Sequence, residues 1–442
     1  MPEAPTLVLT GKGADLIRAA SATSGELLLH FSAVGQVYVI DHVGISESVR
    51  VEVDIPSDYS ALRWGAGDSD PYAGQWFRSA DPTLVVTHYD LQRRPGFSLP
   101  WDDFRKLLPG VADPGGNTGV LIVHHHGRPD GESVPKLPEF TAWTVGRNGV
   151  FPAALEVEPE AYGSIQLATN DAWPVADLAQ NSVTIVGTGS IGSAAAVALS
   201  DLGVGRLNLV DYDRLLWHNI IRHRLGPESV GRFKVDALKS VLNDRARHYS
   251  PETKTDVSVH RMSVVGSADV FYELALESDV VVCCADGIAP RRAVNHVSRI
   301  AGVPAVFACV LGDGRIGEVF RSRPGSAFGC LQCHRSWLAE QGAIDAEADQ
   351  EAAYGTGDIH KPMTAAPNDL ALMGTFAAKV AMSTLLESRH GDASQRLPAE
   401  HAVVGLRPDT PLRWPYNVSR AGETVWNEVP APRPGCATCS IA

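Results

Sequence analysis

Apolar positions in this chain follow two rhythms, and the change between them falls near residue 175. Before it, short apolar runs recur at Leu27–Phe31, Val37–Ile40, Val49–Val53, Thr83–Thr87 and Gly119–His124, with Gly, Pro, Asp and Ser punctuating the stretch. That spacing predicts a mixed α/β region of short strands. Pro114-Gly115-Gly116-Asn117 predicts a turn and Trp101–Leu108 a short helix. Around 168–181 the chain turns polar, with Ala168-Thr169-Asn170-Asp171 and then Pro174, which sets a domain boundary. From 182 onward apolar runs alternate with helical stretches, the pattern of a parallel sheet. Strands are expected at Val183–Gly187, Leu207–Asp211, Asp279–Cys284 and Ala305–Leu311, and helices at Ser190–Leu202 and Lys234–Ala246. The acidic, aperiodic stretch Ala339–Pro362 reads as a crossover loop. Asn368 or Asp369 then caps a long Ala-rich helix running to about Leu386, and the tail from Arg396 carries short strands before a final cysteine pair. Two domains are therefore expected, 1–170 and 175–442.

Composition narrows the function classes. With 442 residues, 44% apolar and 20% charged, the chain has the material of a globular protein and excludes a disordered chain or a coiled coil. Lys and Arg number 38 against 51 Asp and Glu, a net charge of −13. Such a balance argues against nucleic acid or an anionic membrane as partner, while leaving room for one basic pocket. No apolar run reaches the roughly 18 residues that a transmembrane helix needs. Met1-Pro2-Glu3-Ala4-Pro5 lacks the charged and apolar regions of a secretory leader. The seven cysteines are odd in number and all follow residue 280, unlike a stapled secreted scaffold. A cytoplasmic protein is expected, with cysteines that fill core or bind metal.

Gly187-Thr188-Gly189-Ser190-Ile191-Gly192 is GxGxxG between an expected strand and an expected helix. Gly187, Gly189 and Gly192 allow a tight turn and close backbone approach, and the helix start offers unpaired N–H groups to an anion. Asp211 ends the next strand, 19 residues after Gly192, where a carboxylate accepts from ribose hydroxyls. NAD is the default ligand of such a loop. The residues that follow suit a triphosphate better: Asn219, Arg222 and Lys234 supply an amide, a guanidinium and an ammonium close behind the ribose acid. Asp286, after the strand Val281-Val282-Cys283-Cys284, stands where a Mg²⁺ ligand would sit.

Together these pieces resemble the ThiF/MoeB/HesA family of ubiquitin-activating-type adenylating enzymes over residues 175–442. The matching residues are GxGxxG at 187–192, Asp211-x-Asp213, Asn219-x-x-Arg222, Val230-Gly231-x-x-Lys234, Cys284-x-Asp286-Gly287 with Arg291, the turn Ala301-Gly302-Val303-Pro304, and two CxxC pairs. The resemblance implies a Rossmann-like domain, binding of ATP and Mg²⁺, and adenylation of the C-terminal carboxylate of a ubiquitin-like or sulfur-carrier protein or peptide. It implies that Asp211 and Asp213 hold the nucleotide, that Asn219, Arg222 and Lys234 hold its phosphates, and that Asp286 holds Mg²⁺ and assists transfer. It also implies a homodimer, because the arginine of N-x-x-R reaches the partner's site. A nicotinamide-dependent oxidoreductase and a scaffold that binds a ubiquitin-like partner without turnover are the competing readings.

Cys330-x-x-Cys333 and Cys436-x-x-Cys439 suit a tetrahedral Cys₄ zinc site that pins the tail to the domain, as the resemblance also implies. Cys283, Cys284 and Cys309 lie in apolar strands and read as core. Residues 334–364 hold no cysteine where many relatives carry a thioester-forming one; Met363-Thr364 stands near that place, with His360 nearby. Adenylation without an enzyme-bound thioester is expected.

In the first region, His124 and His126 end a strand as H-x-H, a spacing that lets two rings share a metal. This resembles the JAB/MPN metalloprotease domain, over about residues 10–165. The resemblance implies a second zinc on His124 and His126, with Glu26 as general base. Gly127 replaces the usual proline, and Lys136-Leu137 stand where an Asp belongs, so Asp130 or Glu139 would have to substitute beyond Ser133.

Overall fold

The computed structural model describes residues 6–32, 37–46, 49–52, 72–94, 96–112, 119–127, 137–146, 148–158, 173–246, 254–325, 327–343, 365–389, 395–409 and 412–440. The chain divides into two compact units, Met1–Glu160 and Ala161–Ala442.

The first unit is built on one nine-stranded sheet. Its elements are β1 (Thr6–Thr10), α1 (Gly11–Ala19), β2 (Ser24–Ser32), β3 (Val37–Ser46), β4 (Val49–Glu52), β5 (Tyr72–Ser79), α2 (Pro82–Gln92), α3 (Trp101–Leu107), β6 (Gly119–His125), β7 (Phe140–Gly146), β8 (Gly149–Ala153) and β9 (Leu155–Glu158). The strand order is β8-β7-β6-β5-β2-β3-β1-β9, with β4 paired to β3. Alternation along each strand splits the core between the two faces. Leu27, Leu29, Trp76, Ile122 and Ala142 pack with Ala14 and Ile17 of α1. Phe77, Leu121, Val123, Trp143 and Val145 pack with Leu84 of α2 and Phe104 of α3. The run Thr83–Thr87, expected as a strand, belongs to α2. Asp81 accepts the Thr83 N–H at 2.8 Å as N-cap and Pro82 fills the first turn. That start signal overrides the β-branched run behind it.

The second unit carries β10 (Ser182–Val186), β11 (Arg206–Val210), β12 (Asp256–His260), β13 (Val280–Cys283), β14 (Ala305–Leu311), β15 (Ile316–Ser322), β16 (His401–Gly405) and β17 (Thr424–Asn427). Its helices are α4 (Val175–Leu178), α5 (Ser190–Asp201), α6 (Lys234–Arg245), α7 (Ala268–Leu276), α8 (Ile288–Ile300), α9 (Leu331–Glu340) and α10 (Pro367–Arg389). The sheet runs β12-β11-β10-β13-β14-β15-β16-β17. The first five strands are parallel and the last three join antiparallel. Strand order reverses between β10 and β13, the switch point where a doubly wound sheet opens a crevice.

The long helix α10 begins at Pro367, so Asn368 and Asp369 stand in its first turn rather than at its cap. Pro367 needs no N–H partner there. By length and hydropathy, Pro367–Glu387 is the one helix among the described residues suited to cross a membrane, yet 67% of that window is buried. Leu370, Met373, Ala377, Ala381 and Leu385 enter the main core beside α5. Gly374 permits the close approach, since a Cβ there would lie 2.3 Å from the Ile191 carbonyl oxygen.

Candidate functional site

The crevice at the switch point is a cleft of about 500 Å³ lined by Gly187, Gly189, Asp211, Asp213, Lys234 and Asp286, with Met262, Val264 and Ile288 among its apolar walls. Six of the expected nucleotide residues thus meet in one place. Gly187 has φ +83°, and a Cβ on it would come within 2.6 Å of the Ala285 backbone, so only glycine lets the two loops close on each other. Gly192 lies within α5 against the Gly187 carbonyl. Gly189 has open space over its Cα.

Asp211 is a bracket as well as a cleft wall. Its Oδ2 accepts the Thr188 N–H at 2.8 Å and the Thr188 hydroxyl at 3.2 Å, and its Oδ1 accepts the Asp213 N–H at 2.9 Å. Asp213 in turn pairs with Lys234, Nζ to Oδ2 2.5 Å, at the start of α6. Lys234 is buried and Asp213 half exposed. Asp286 lines the cleft and is exposed to solvent there. Partial desolvation by the cleft walls raises its carboxyl above the ordinary range, against the pull of Lys234, Arg291 and Arg222.

Asn219 and Arg222 sit on a 3-10 turn, Trp217–Arg222, outside the cleft lining. The Asn219 side-chain oxygen accepts the Leu216 N–H at 2.9 Å, so this amide caps its own turn. The same turn exposes Leu216, Trp217 and Ile221, with Trp217 at 71% and Ile221 at 77%.

A second site lies at the end of α9. The thiol sulfurs of Cys330, Cys333, Cys436 and Cys439 all fall within 4.8 Å of one another. Four thiols at that spacing fit the Cys₄ donor set of structural zinc. The Cys330 end is fixed by Asn295, whose side-chain oxygen accepts the Leu331 N–H at 2.9 Å. Two residues past Cys333, Arg335 donates to Glu318 at 2.7 Å through Nη1 and again through Nη2. Glu318, fully buried on β15, also receives the Tyr416 hydroxyl and lies 2.9 Å from His401 Nε2. Burial alone would raise the Glu318 carboxyl; Arg335 and His401 hold it well below the carboxylate range. This network anchors α9, and with it half of the thiol set.

The ThiF family pattern matches residues 165–392, just over half of the chain. The chain belongs to the ThiF family. Among its relatives are a ubiquitin-like modifier-activating enzyme 5 of Aedes aegypti, 29% identical over 35% of this chain and 40% of that one, and a sulfur carrier protein ThiS adenylyltransferase of Bacillus subtilis, 30% identical over 35% and 44%. An adenylyltransferase and sulfurtransferase MOCS3 of Aedes aegypti is 28% identical over 35% and 34%. The chain therefore spans about two fifths of the length of the curated relatives it matches. A crystal structure of Escherichia coli MccB with ATP superposes at a TM-score of 0.43, with 19% identity over 60% of this chain and 68% of that one.

The ThiF match does not reach the first unit, and there Glu26 does not come together with His124. Glu26 pairs with Gln75, and Gln75 with Leu121; His124 pairs with Arg78. An offset of three residues along a strand puts Glu26 and His124 on opposite faces of the sheet. His124 faces α1, where its Nε2 lies 3.2 Å from Glu139 Oε1 and its ring stacks on Phe140. Arg18 occupies both Glu139 oxygens, at 2.8 and 3.0 Å. His124 and His126 have ring centroids 6.2 Å apart, and among the described residues no third ligand joins them. Asp130, Ser133 and Lys136 lie outside the described residues, as do His360, Met363 and Thr364.

Sequence reasoning missed two residues that brace the glycine loop from outside the cleft lining. Thr188 is hidden at a variable position of GxGxxG, and His223 follows the N-x-x-R motif. His223 Nε2 lies 2.8 Å from the Thr188 carbonyl oxygen, and no pattern signals that contact.

Proposed function

We propose that the second unit is an ATP-dependent adenylyltransferase that activates the C-terminal carboxylate of a ubiquitin-like or sulfur-carrier protein or peptide. The observation that carries this reading is the meeting of the glycine loop, Asp211, Lys234 and Asp286 in one switch-point cleft. In the step, a carboxylate oxygen attacks the α-phosphorus of ATP, the bond to the bridging oxygen breaks, and pyrophosphate leaves with its electron pair. The product is an acyl-adenylate.

The backbone N–H groups of the glycine loop and α5 start bind phosphate, and Asp211 and Asp213 order the ribose side of the cleft. Lys234 neutralises charge on the phosphates, a role that requires it to exchange its bond to Asp213 for the nucleotide. Asp286 would hold Mg²⁺ through its carboxylate, and the ion would supply positive charge beside the phosphates. Cys330, Cys333, Cys436 and Cys439 hold zinc as a structural staple. Relatives that are adenylyltransferases and modifier-activating enzymes support this class of chemistry.

Exposed Leu216, Trp217 and Ile221 around Arg222 support a homodimer in which this apolar turn is covered and Arg222 reaches the partner's phosphates. The first unit is a non-catalytic, substrate-binding module in this reading, since Glu26 and His124 point to opposite faces. Seven cysteines without a disulfide support a reducing, cytoplasmic setting.

The test is exchange of labelled pyrophosphate into ATP, with Mg²⁺ and a sulfur-carrier protein ending in Gly-Gly. Exchange lost in Asp286→Ala supports the assignment. Binding of NAD in preference to MgATP, or exchange undiminished in that variant, overturns it.

A further inference from the structure

Thr188, between the first two glycines of the loop, is held through three of its groups by two partners. Its N–H and hydroxyl both donate to Asp211 Oδ2, and its carbonyl faces His223 Nε2 at 2.8 Å. On the other side of the imidazole, Nδ1 accepts the Leu225 N–H at 3.2 Å. A ring nitrogen that accepts carries no proton, so the proton sits on Nε2 and the ring donates to Thr188. Burial pushes His223 down to about 4, which keeps this neutral tautomer in place at ordinary pH.

The consequence follows from peptide geometry. A planar trans peptide points its C=O and its N–H in opposite directions. With the Thr188 carbonyl fixed toward His223, the Gly189 N–H is directed away from it. Gly189 lines the cleft and has open space above it. Gly189 on one side of this peptide would otherwise let the plane rotate at little steric cost. His223 also directly follows Arg222, so one imidazole ties the turn bearing Arg222 to the phosphate loop.

We propose that His223 is a positioning residue for nucleotide phosphate, holding the Thr188–Gly189 peptide with its N–H presented to the cleft and docking the Arg222 turn on the loop. This rests on the reading of the cleft as a nucleotide site. It assigns work to a residue outside the motifs that carry that reading.

The test compares the full chain with His223→Ala and His223→Gln. MgATP affinity is measured by isothermal titration and adenosine, which has no phosphate, by saturation-transfer NMR. His223→Ala is expected to weaken MgATP about tenfold, the loss of roughly one well-placed hydrogen bond to an anion, and to leave adenosine unchanged. His223→Gln keeps an N–H donor at similar reach and is expected to recover MgATP to within about threefold of wild type. An alanine variant that binds MgATP as wild type does overturns the proposal. So does a parallel loss of adenosine, which marks a general structural role, or a glutamine variant as weak as alanine. A folded wild type that binds no MgATP overturns the nucleotide reading, and this proposal with it.

Discussion

The backbone of Ala285 occupies the space that a side chain on Gly187 would need, with N and Cα both 2.6 Å from the position of its Cβ. This contact joins the loop after β10 to the loop after β13 and sets the width of the cleft floor. Gly187→Ala adds a methyl into backbone at a φ of +83°, where L-residues are strained. The expected cost is about 3 kcal/mol of stability. Urea unfolding checks this; a loss under about 1 kcal/mol shows that the loops part easily.

Asp286 gives a magnesium dependence. If its carboxylate takes part in Mg²⁺ binding, Asp286→Asn weakens ATP in the presence of Mg²⁺ by about tenfold or more and changes ATP measured in EDTA far less. Calorimetric titration under the two conditions separates them. Equal losses in both would move Asp286 from metal binding to direct contact with the nucleotide.

Zinc should be present at one ion per chain, held by Cys330, Cys333, Cys436 and Cys439. Plasma-source mass spectrometry of the purified chain counts it, and Cys436→Ser should fall toward zero. Removing the ion with a chelator should lower the thermal midpoint by more than about 5 °C, because metal binding is linked to the folded tail. Two ions in the wild type and one in Cys436→Ser would restore the His124–His126 pair as a metal site.

His88 makes the first unit sensitive to acid. It is 2% exposed, packs edge-on to Trp143 at 4.7 Å, and bonds the Ala142 carbonyl through Nε2 at 2.9 Å. Burial lowers it from 6.5 to about 4, so the native state resists the proton that the unfolded chain accepts. Its contribution is therefore complete above pH 6.5 and is lost as pH falls toward 4. That gap is worth roughly 3 kcal/mol. Urea unfolding followed by tryptophan fluorescence should show a smaller drop between pH 7 and pH 4.5 in His88→Gln than in wild type. An identical drop in both would remove His88 from the acid response.

Cys309 should resist alkylation. It is buried on β14 beside Glu318, and burial pushes its thiol up to about 12. Cys283 and Cys284 are buried and raised for the same reason. At pH 8 iodoacetamide should modify Cys309 about a thousandfold more slowly than a free cysteine, in proportion to its thiolate fraction. Rapid labelling, read by peptide mass spectrometry, would reopen the question of an enzyme-bound thioester.

The glycine loop and Asp211 were legible because their chemistry is local: a strand, a turn that tolerates positive φ, and a helix start follow one another within twenty residues. The two CxxC pairs were legible as one Cys₄ donor set for a similar reason, since each pair is one turn of chain with two thiols. Thr83–Thr87 misled because its β-branched residues favour a strand in isolation, while Asp81 and Pro82 just upstream start a helix.

The amino-acid sequence by itself determined where strands and helices alternate, which loop can cradle an anion, and which side chains are able to bind metal. Those properties depend on residue type and on neighbours a few positions away. Tertiary structure decided which strands pair, in what register, and so which face each side chain meets. Glu26 and His124 looked like partners in the sequence and stand on opposite faces, because an offset of three residues across paired strands reverses direction. Thr188 and His223 carried no common pattern and lie 2.8 Å apart, because the turn after β11 folds back over the loop after β10. Such contacts join segments 35 residues apart along the chain, a distance over which residue preferences carry no information and only the packing of the whole sheet selects the neighbour.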